Sequence, residues 1–452
     1  MYPSNTLQSP VPRHTVPPQN RAALLPEGAQ SRPVGSWQPL QRLEALTVLP
    51  VATTVGAIAK QTVATQTPPL HLAVIRKDER EVCRLVDAGA DVNAYDCFGN
   101  TALYWAAEHG NGSLAHFLIS CGADVNRDKS GQTVLHATVK YGDEGLLRLV
   151  LDSGADVHAR DCDNNTPLHL AVEKGDTSLV GLLLQRGADV NACNEAEQTA
   201  LHLAVKRGDI GLITVLLDNG ADVNARACVD DTALHLAVEK GDASLVALLL
   251  HKGAAVNALN GSGSALHLAV QANSTNLAAV LVDSGADVNA RDRYACTALH
   301  LAAQRGNTDV ARILVSKGAD VKARSPGDFT CLHWATVKDD DNMARFLLSE
   351  GVDVNFCTEY GESPLHKAVR RGHENVARLL VDKGADLNLR DRDDRTPLHV
   401  AALWGAEGLV RFLVDEGRAD IHVRDKDGKT PHDLAAKGGH PGIACFLLSR
   451  KL

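Results

Sequence analysis

Aromatic side chains are scarce in this 452-residue chain, at 4%. Cores usually lean on Phe, Tyr and Trp for large burial, so this one must be built from Leu, Val and Ala. A long hydrophobic run is also missing. The longest, residues 45–59, is broken by Pro50 and is too short to span a bilayer, which speaks against direct membrane insertion. The opening "MYPSNTLQSPVPRH" lacks the basic-then-apolar order of a secretory leader, so the cytoplasm or the nucleus is the expected location. Positive charge is not in excess. The formal net charge is −9, and the first 66 residues, with five basic and two acidic side chains, leave the remainder more acidic still. Phosphate binding needs a basic face, so nucleic acid is not the expected partner. There is no CxxC pair, Gly-rich phosphate loop, HExxH, GxSxG or pair of catalytic carboxylates. Nothing here signals an enzyme, a cofactor, a metal site or a small-molecule substrate.

What the chain does have is repetition. "TPLHLAVEKGDTSLVGLLLQRGADVNA", residues 166–192, returns at 232–258 with six of 27 positions changed. The Thr of "TPLH" or its substitute recurs at Pro68, Thr101, Thr133, Thr166, Thr199, Thr232, Ser264, Thr297, Thr330, Ser363, Thr396 and Thr430. The interval is 33 residues, with two of 32 and one of 34, so twelve copies run from about residue 62 to 452. Length alone would suit about three compact domains; the period replaces them with an array.

Each copy predicts two short helices. In the fourth, Thr166 can cap the first helix, Pro167 suits its first position, and Leu168, Ala171 and Val172 share one face. Gly175 can end it in a left-handed conformation. Leu179, Val180, Leu182 and Leu183 mark a second helix that Gly187 stops, and "ADVNA" leads into an extended turn. Neither helix is long enough to stand alone in water. Each copy must therefore be the wall of its neighbour's core.

The "TPLHLA" line, the period and "GADVNA" resemble ankyrin repeats. The resemblance covers about 390 residues and implies an all-α repeat solenoid of helix-turn-helix pairs with β-hairpin-like fingers at one side. It also implies a concave face, made by fingers and first helices, that binds other proteins. Residues 1–39 are Pro-rich and read as a disordered segment. Residues 40–61 read as a poorly formed helical cap, and 62–452 as the array. The last copy is atypical, with His432 at a core Leu position.

Ten of nineteen histidines occupy one repeat position. The resemblance implies that this His links the capping hydroxyl to finger backbone. Lying one repeat apart, roughly 10 Å, the row cannot share a metal ion. The ten cysteines read as free thiols of a reducing compartment, with Cys83 and Cys445 as small core residues. Arg160, Arg291, Arg390 and Arg424, each followed by Asp, form a column that reads as finger chemistry.

Variable positions lie at the finger tips and first-helix ends. Phe98, Tyr141, Tyr294, Phe329, Tyr360 and Trp404 fall there, beside Arg370, Arg371, Arg392 and Arg395. Aromatics flanked by Arg are the composition of interface hot spots. The expected function is a protein-protein interaction module, an adaptor, scaffold or inhibitor. The alternative is a sensor or targeting subunit of a larger signalling or enzymatic complex.

Overall fold

The computed structural model describes residues 67–127 and 131–450; the expected disordered segment and helical cap lie outside the described residues. Among these, twenty-four helices form twelve pairs in the register of the repeat. The fourth unit shows how the residues build a pair. Thr166 is extended, with φ −87° and ψ 165°, and closes a capping box with His169. The first helix, Pro167–Lys174, ends at Gly175 with φ 82°. Asp176 caps the second helix, Thr177–Gln185, by accepting from the N–H groups of Ser178 and Leu179. Such caps are each worth about 1 kcal/mol, a large share of what a nine-residue helix needs.

Burial follows the apolar pattern. Leu168, Ala171, Val172, Leu179, Val180, Leu182 and Leu183 are buried in one core that continues through all twelve units. Successive first helices pack directly on one another, and second helices do so more sparingly. Ala171, Ala204 and Ala237, fully buried, allow the close approach. Leu170 and its counterparts lie nearer the surface. Trp105 and Trp334, at the same position, are half-buried, and their indole N–H groups reach Asp96 Oδ2 at 2.7 Å and Ser325 Oγ at 3.3 Å.

Irregular intervals have local solutions. The finger before Ser264 is one residue short, and its legs pair as strands Leu259–Asn260 and Gly263–Ser264. The eleventh unit is one residue long. Its second helix runs as an α-helix over Glu407–Arg411 and widens into a π-turn over Phe412–Glu416, which absorbs the extra residue.

The turn between paired helices needs a left-handed residue. Asn273 and Asp339 take that conformation at φ 57°, and Lys77 does so at φ 58° in the first unit. A side chain there costs about 1–2 kcal/mol against glycine. Asp339→Gly is therefore expected to stabilise the ninth unit by about 1 kcal/mol. In the parent protein, amides of residues 330–350 should exchange with deuterium faster than those of 166–250. Stronger protection at 330–350 would contradict both expectations.

Candidate partner-binding face

The fingers are held by a relay of histidines. In the fourth unit the Thr166 N–H donates to His169 Nδ1 at 3.2 Å. That bond leaves the ring proton on Nε2, which donates to the Gln198 carbonyl of the next finger at 3.0 Å. The pattern repeats from His136 to His399. His71 keeps only the forward bond, to Asn100. Pro68 offers its Nδ1 neither an N–H nor a hydroxyl, and that atom has no partner among the described residues. Burial holds these imidazoles below their ordinary pKa, down to about 4 for His300 and His333. They are neutral structural links. In the twelfth unit Asp433 stands at this position. It caps its helix with Thr430, and that bonding holds its carboxyl down at about 2.

A second set of links was missed in the sequence. The Asn of "GADVNA" bridges units: Asn93 Nδ2 donates to the Gly122 carbonyl and Asn93 Oδ1 accepts from the Asp124 N–H. Asn126, Asn191, Asn224, Asn257, Asn289 and Asn355 do the same. The signal was the recurrence of Asn at this position in most copies, with His158, Lys322 and His422 as the exceptions. The Asp-Arg column is finger chemistry, as read. Asp161 accepts from the N–H groups of Asp163 and Asn165, and Arg160 bonds the Asn164 carbonyl and, across units, that of Cys193.

Against this frame the variable residues fall into two kinds. The residue three before each Thr stands at the tip. Phe98, Tyr294 and Tyr360 are there, 58%, 59% and 49% exposed, and Val229, which the sequence reading passed over, is 70% exposed. The residue directly before Thr packs downward instead. Phe329 is half-buried, its ring 5.3 Å from Trp334 and 5.5 Å from His333. Arg395, at the same position, pairs with Asp393 at 2.9 Å and lies 3.8 Å from buried Asp425.

At the first-helix ends, Tyr141 and Trp404 are 49% and 60% exposed. Arg370 is held, with Lys367, on the buried carboxylate of Glu362. Arg371 is exposed. The Arg392 guanidinium lies 4.6 Å from the centre of the Tyr360 ring. The structure thus joins Tyr360 to Arg392 and places Arg371 and Trp404 at one position of consecutive units. Phe98, Tyr141 and Tyr294 belong to other units. Among cysteines the reading needs one correction. Cys445 is exposed rather than core and Cys83 is half-buried, whereas Cys331 is fully buried, its thiol pushed up by that burial.

The fold defines a tandem helix-pair repeat protein whose repeated residues bond units together and whose variable residues stand on fingers and first-helix ends. Comparison with known families agrees. The profile described as "Ankyrin repeats (3 copies)" matches residues 70–161, 135–227, 168–260, 201–292, 234–325 and 324–391, and "Ankyrin repeats (many copies)" matches 380–435. The chain belongs to the ankyrin repeat family. A mouse protein, "Protein fem-1 homolog A-like" (Mus musculus), is 44% identical over 62 residues, which are 14% of this chain and 10% of that protein. The similarity therefore spans a small part of either. Ankyrin repeats are in general protein-protein interaction modules. Among the described residues, no helix is long and apolar enough to cross a membrane.

Proposed function

We propose that the chain is an adaptor, scaffold or inhibitor that holds a protein partner on its finger and first-helix face. The observation that carries this is Trp404. Its indole is 60% exposed at a position that holds Lys174, Arg207 and Lys240 in other units, and the neighbouring position in the twelfth unit is Gly438, which covers nothing. Large exposed aromatics near Arg are what interfaces bury at their centres. Closer packing among first helices than among second helices favours a hollow on that side. Arg371 and the stacked Tyr360–Arg392 pair lie on the adjoining ridge.

The test separates binding from folding. Partners captured by the intact chain and identified by mass spectrometry supply the ligand. Trp404→Ala should weaken its binding by about 2 kcal/mol or more and leave the melting temperature nearly unchanged. Leu398, 1% exposed, is the core control, and Leu398→Ala should cost about 2–5 kcal/mol of local stability. If Trp404→Ala destabilised the array as Leu398→Ala does and spared binding, this face would not be the binding face.

A further inference from the structure

The first-helix ends change character along the array. In the second to sixth units their last two residues include Glu108, Glu173 and Glu239; from the seventh unit on, no carboxylate occupies either position. The cations change role as well. Lys174 Nζ donates back to the Lys140 and Tyr141 carbonyls at 2.7 and 2.9 Å. Arg207 bonds the Glu173 carbonyl at 2.5 Å, and Lys240 bonds that of Lys206 at 3.1 Å. Each caps the preceding first helix, whose last carbonyls lack intrahelical partners.

In the tenth unit that task falls to another residue. His373 Nε2 bonds the Val337 carbonyl at 3.3 Å, the acceptor that Arg371 would otherwise serve. Arg371, like Arg305 and Lys338 at the same position, is exposed and makes no hydrogen bond or ion pair with any described residue. Of the three nearby aspartates, Asp339 and Asp340 offset part of the charge of Arg305, Lys338 and Arg371, and Asp341 is taken by Arg345 at 2.6 Å, so the row keeps a positive excess. Asp339 also faces His373 at 3.6 Å, and Asp340 caps the next helix. Trp404 continues the row in the eleventh unit.

We propose that Arg305, Lys338, Arg371 and Trp404 bind an extended acidic peptide segment of the partner. This rests on the binding face proposed above and adds the partner's chemistry. Units stand roughly 10 Å apart and an extended chain advances about 3.3 Å per residue. The row therefore matches carboxylates about three residues apart, followed by one large apolar side chain over Trp404. Exposed cations steer and select acidic partners, and the row keeps a positive excess on a chain whose total charge is −9.

The test pans the full-length chain against a random twelve-residue peptide library displayed on phage. Enriched peptides should carry Asp or Glu at three-residue intervals with an aromatic or Leu beyond. A synthetic copy of the enriched peptide should bind at least tenfold more weakly to R305E/K338E/R371E and to Trp404→Ala, and its affinity should fall as salt rises. Unchanged circular dichroism would show both variants folded; if the triple variant unfolds, R371Q with the salt titration gives the same reading. Enrichment of neutral or basic peptides, no enrichment, or equal binding by a dT oligonucleotide would overturn the proposal. Loss of captured-partner binding in Trp404→Ala, without any effect of charge reversal, would remove the acidic peptide and keep the binding face. No loss in either would remove both.

Discussion

Lowering the pH from 7 to 4 is expected to cost the array several kcal/mol of stability, well before its carboxylates are fully protonated. The cause is the histidine relay. Each imidazole is buried and neutral, accepting at Nδ1 and donating at Nε2; a proton on Nδ1 would remove the acceptor of the capping N–H. The folded-state pKa is therefore below the unfolded value of about 6.5. Above that value both states are neutral and the stability is fully present. As the pH falls toward 4 the unfolded chain takes up protons that the folded chain refuses, so stability declines. For His300 and His333, at about 4, the loss approaches about 3 kcal/mol each. Glu173 and Glu239 act in the opposite sense, because burial and nearby aspartates raise them, but they are outnumbered. Urea titrations at pH 7, 6, 5 and 4 measure the effect, and a midpoint that stays constant from 7 to 5 would rule it out.

Removing residues 199–231, one full repeat period, should leave a shorter folded array, whereas removing residues 210–225 should abolish folding around the gap. The first deletion joins Gln198 to Thr232. His169 keeps its acceptor on Gln198, and the first helix over Ala233–Lys240 takes the place of Ala200–Arg207 with nearly the same buried residues. Asn191 would then meet Gly253 in place of Gly220. The second deletion takes Leu212, Ile213 and Leu216, all fully buried, and exposes the facing helices of both neighbours. In an array stabilised by nearest-neighbour contacts that damage is not repaired from further away. Far-ultraviolet circular dichroism and limited proteolysis distinguish the outcomes. A protease-resistant product from the second deletion, or an unfolded one from the first, would refute the interchangeability of units.

The fold was open to reading because its determinants are local. Thr166, Pro167, Gly175 and Leu179 act within a few residues of themselves, and the period multiplies them. Roles that depend on a neighbour 29–36 residues away were harder to see. The Asn bridges needed the Gly carbonyl of the next unit in place. Arg371 looked equivalent to Lys174 until His373 proved to hold the carbonyl beneath it. Phe329 and Tyr360 both read as finger aromatics, yet two residues of offset turn one down onto Trp334 and leave the other outward. Arg370 and Arg395 read as exposed cations, and internal carboxylates hold them. The extra residue of the eleventh unit was countable, but only the backbone shows that it widens a helix rather than lengthening a loop.

The histidine bonds all run one way, from the first helix of each of the ten units that carry the residue to the finger beyond it, so the array has a grammar as well as a vocabulary. A copied unit inserted anywhere inside brings a ring donor for the unit after it and a finger carbonyl for the unit before it. Internal growth thus requires no new chemistry, as the near-identical texts at 166–192 and 232–258 illustrate. The twelfth unit departs from this, as the second does: Asp433 caps its own helix, and Tyr104 reaches onward with its hydroxyl to Gln132 instead of an imidazole.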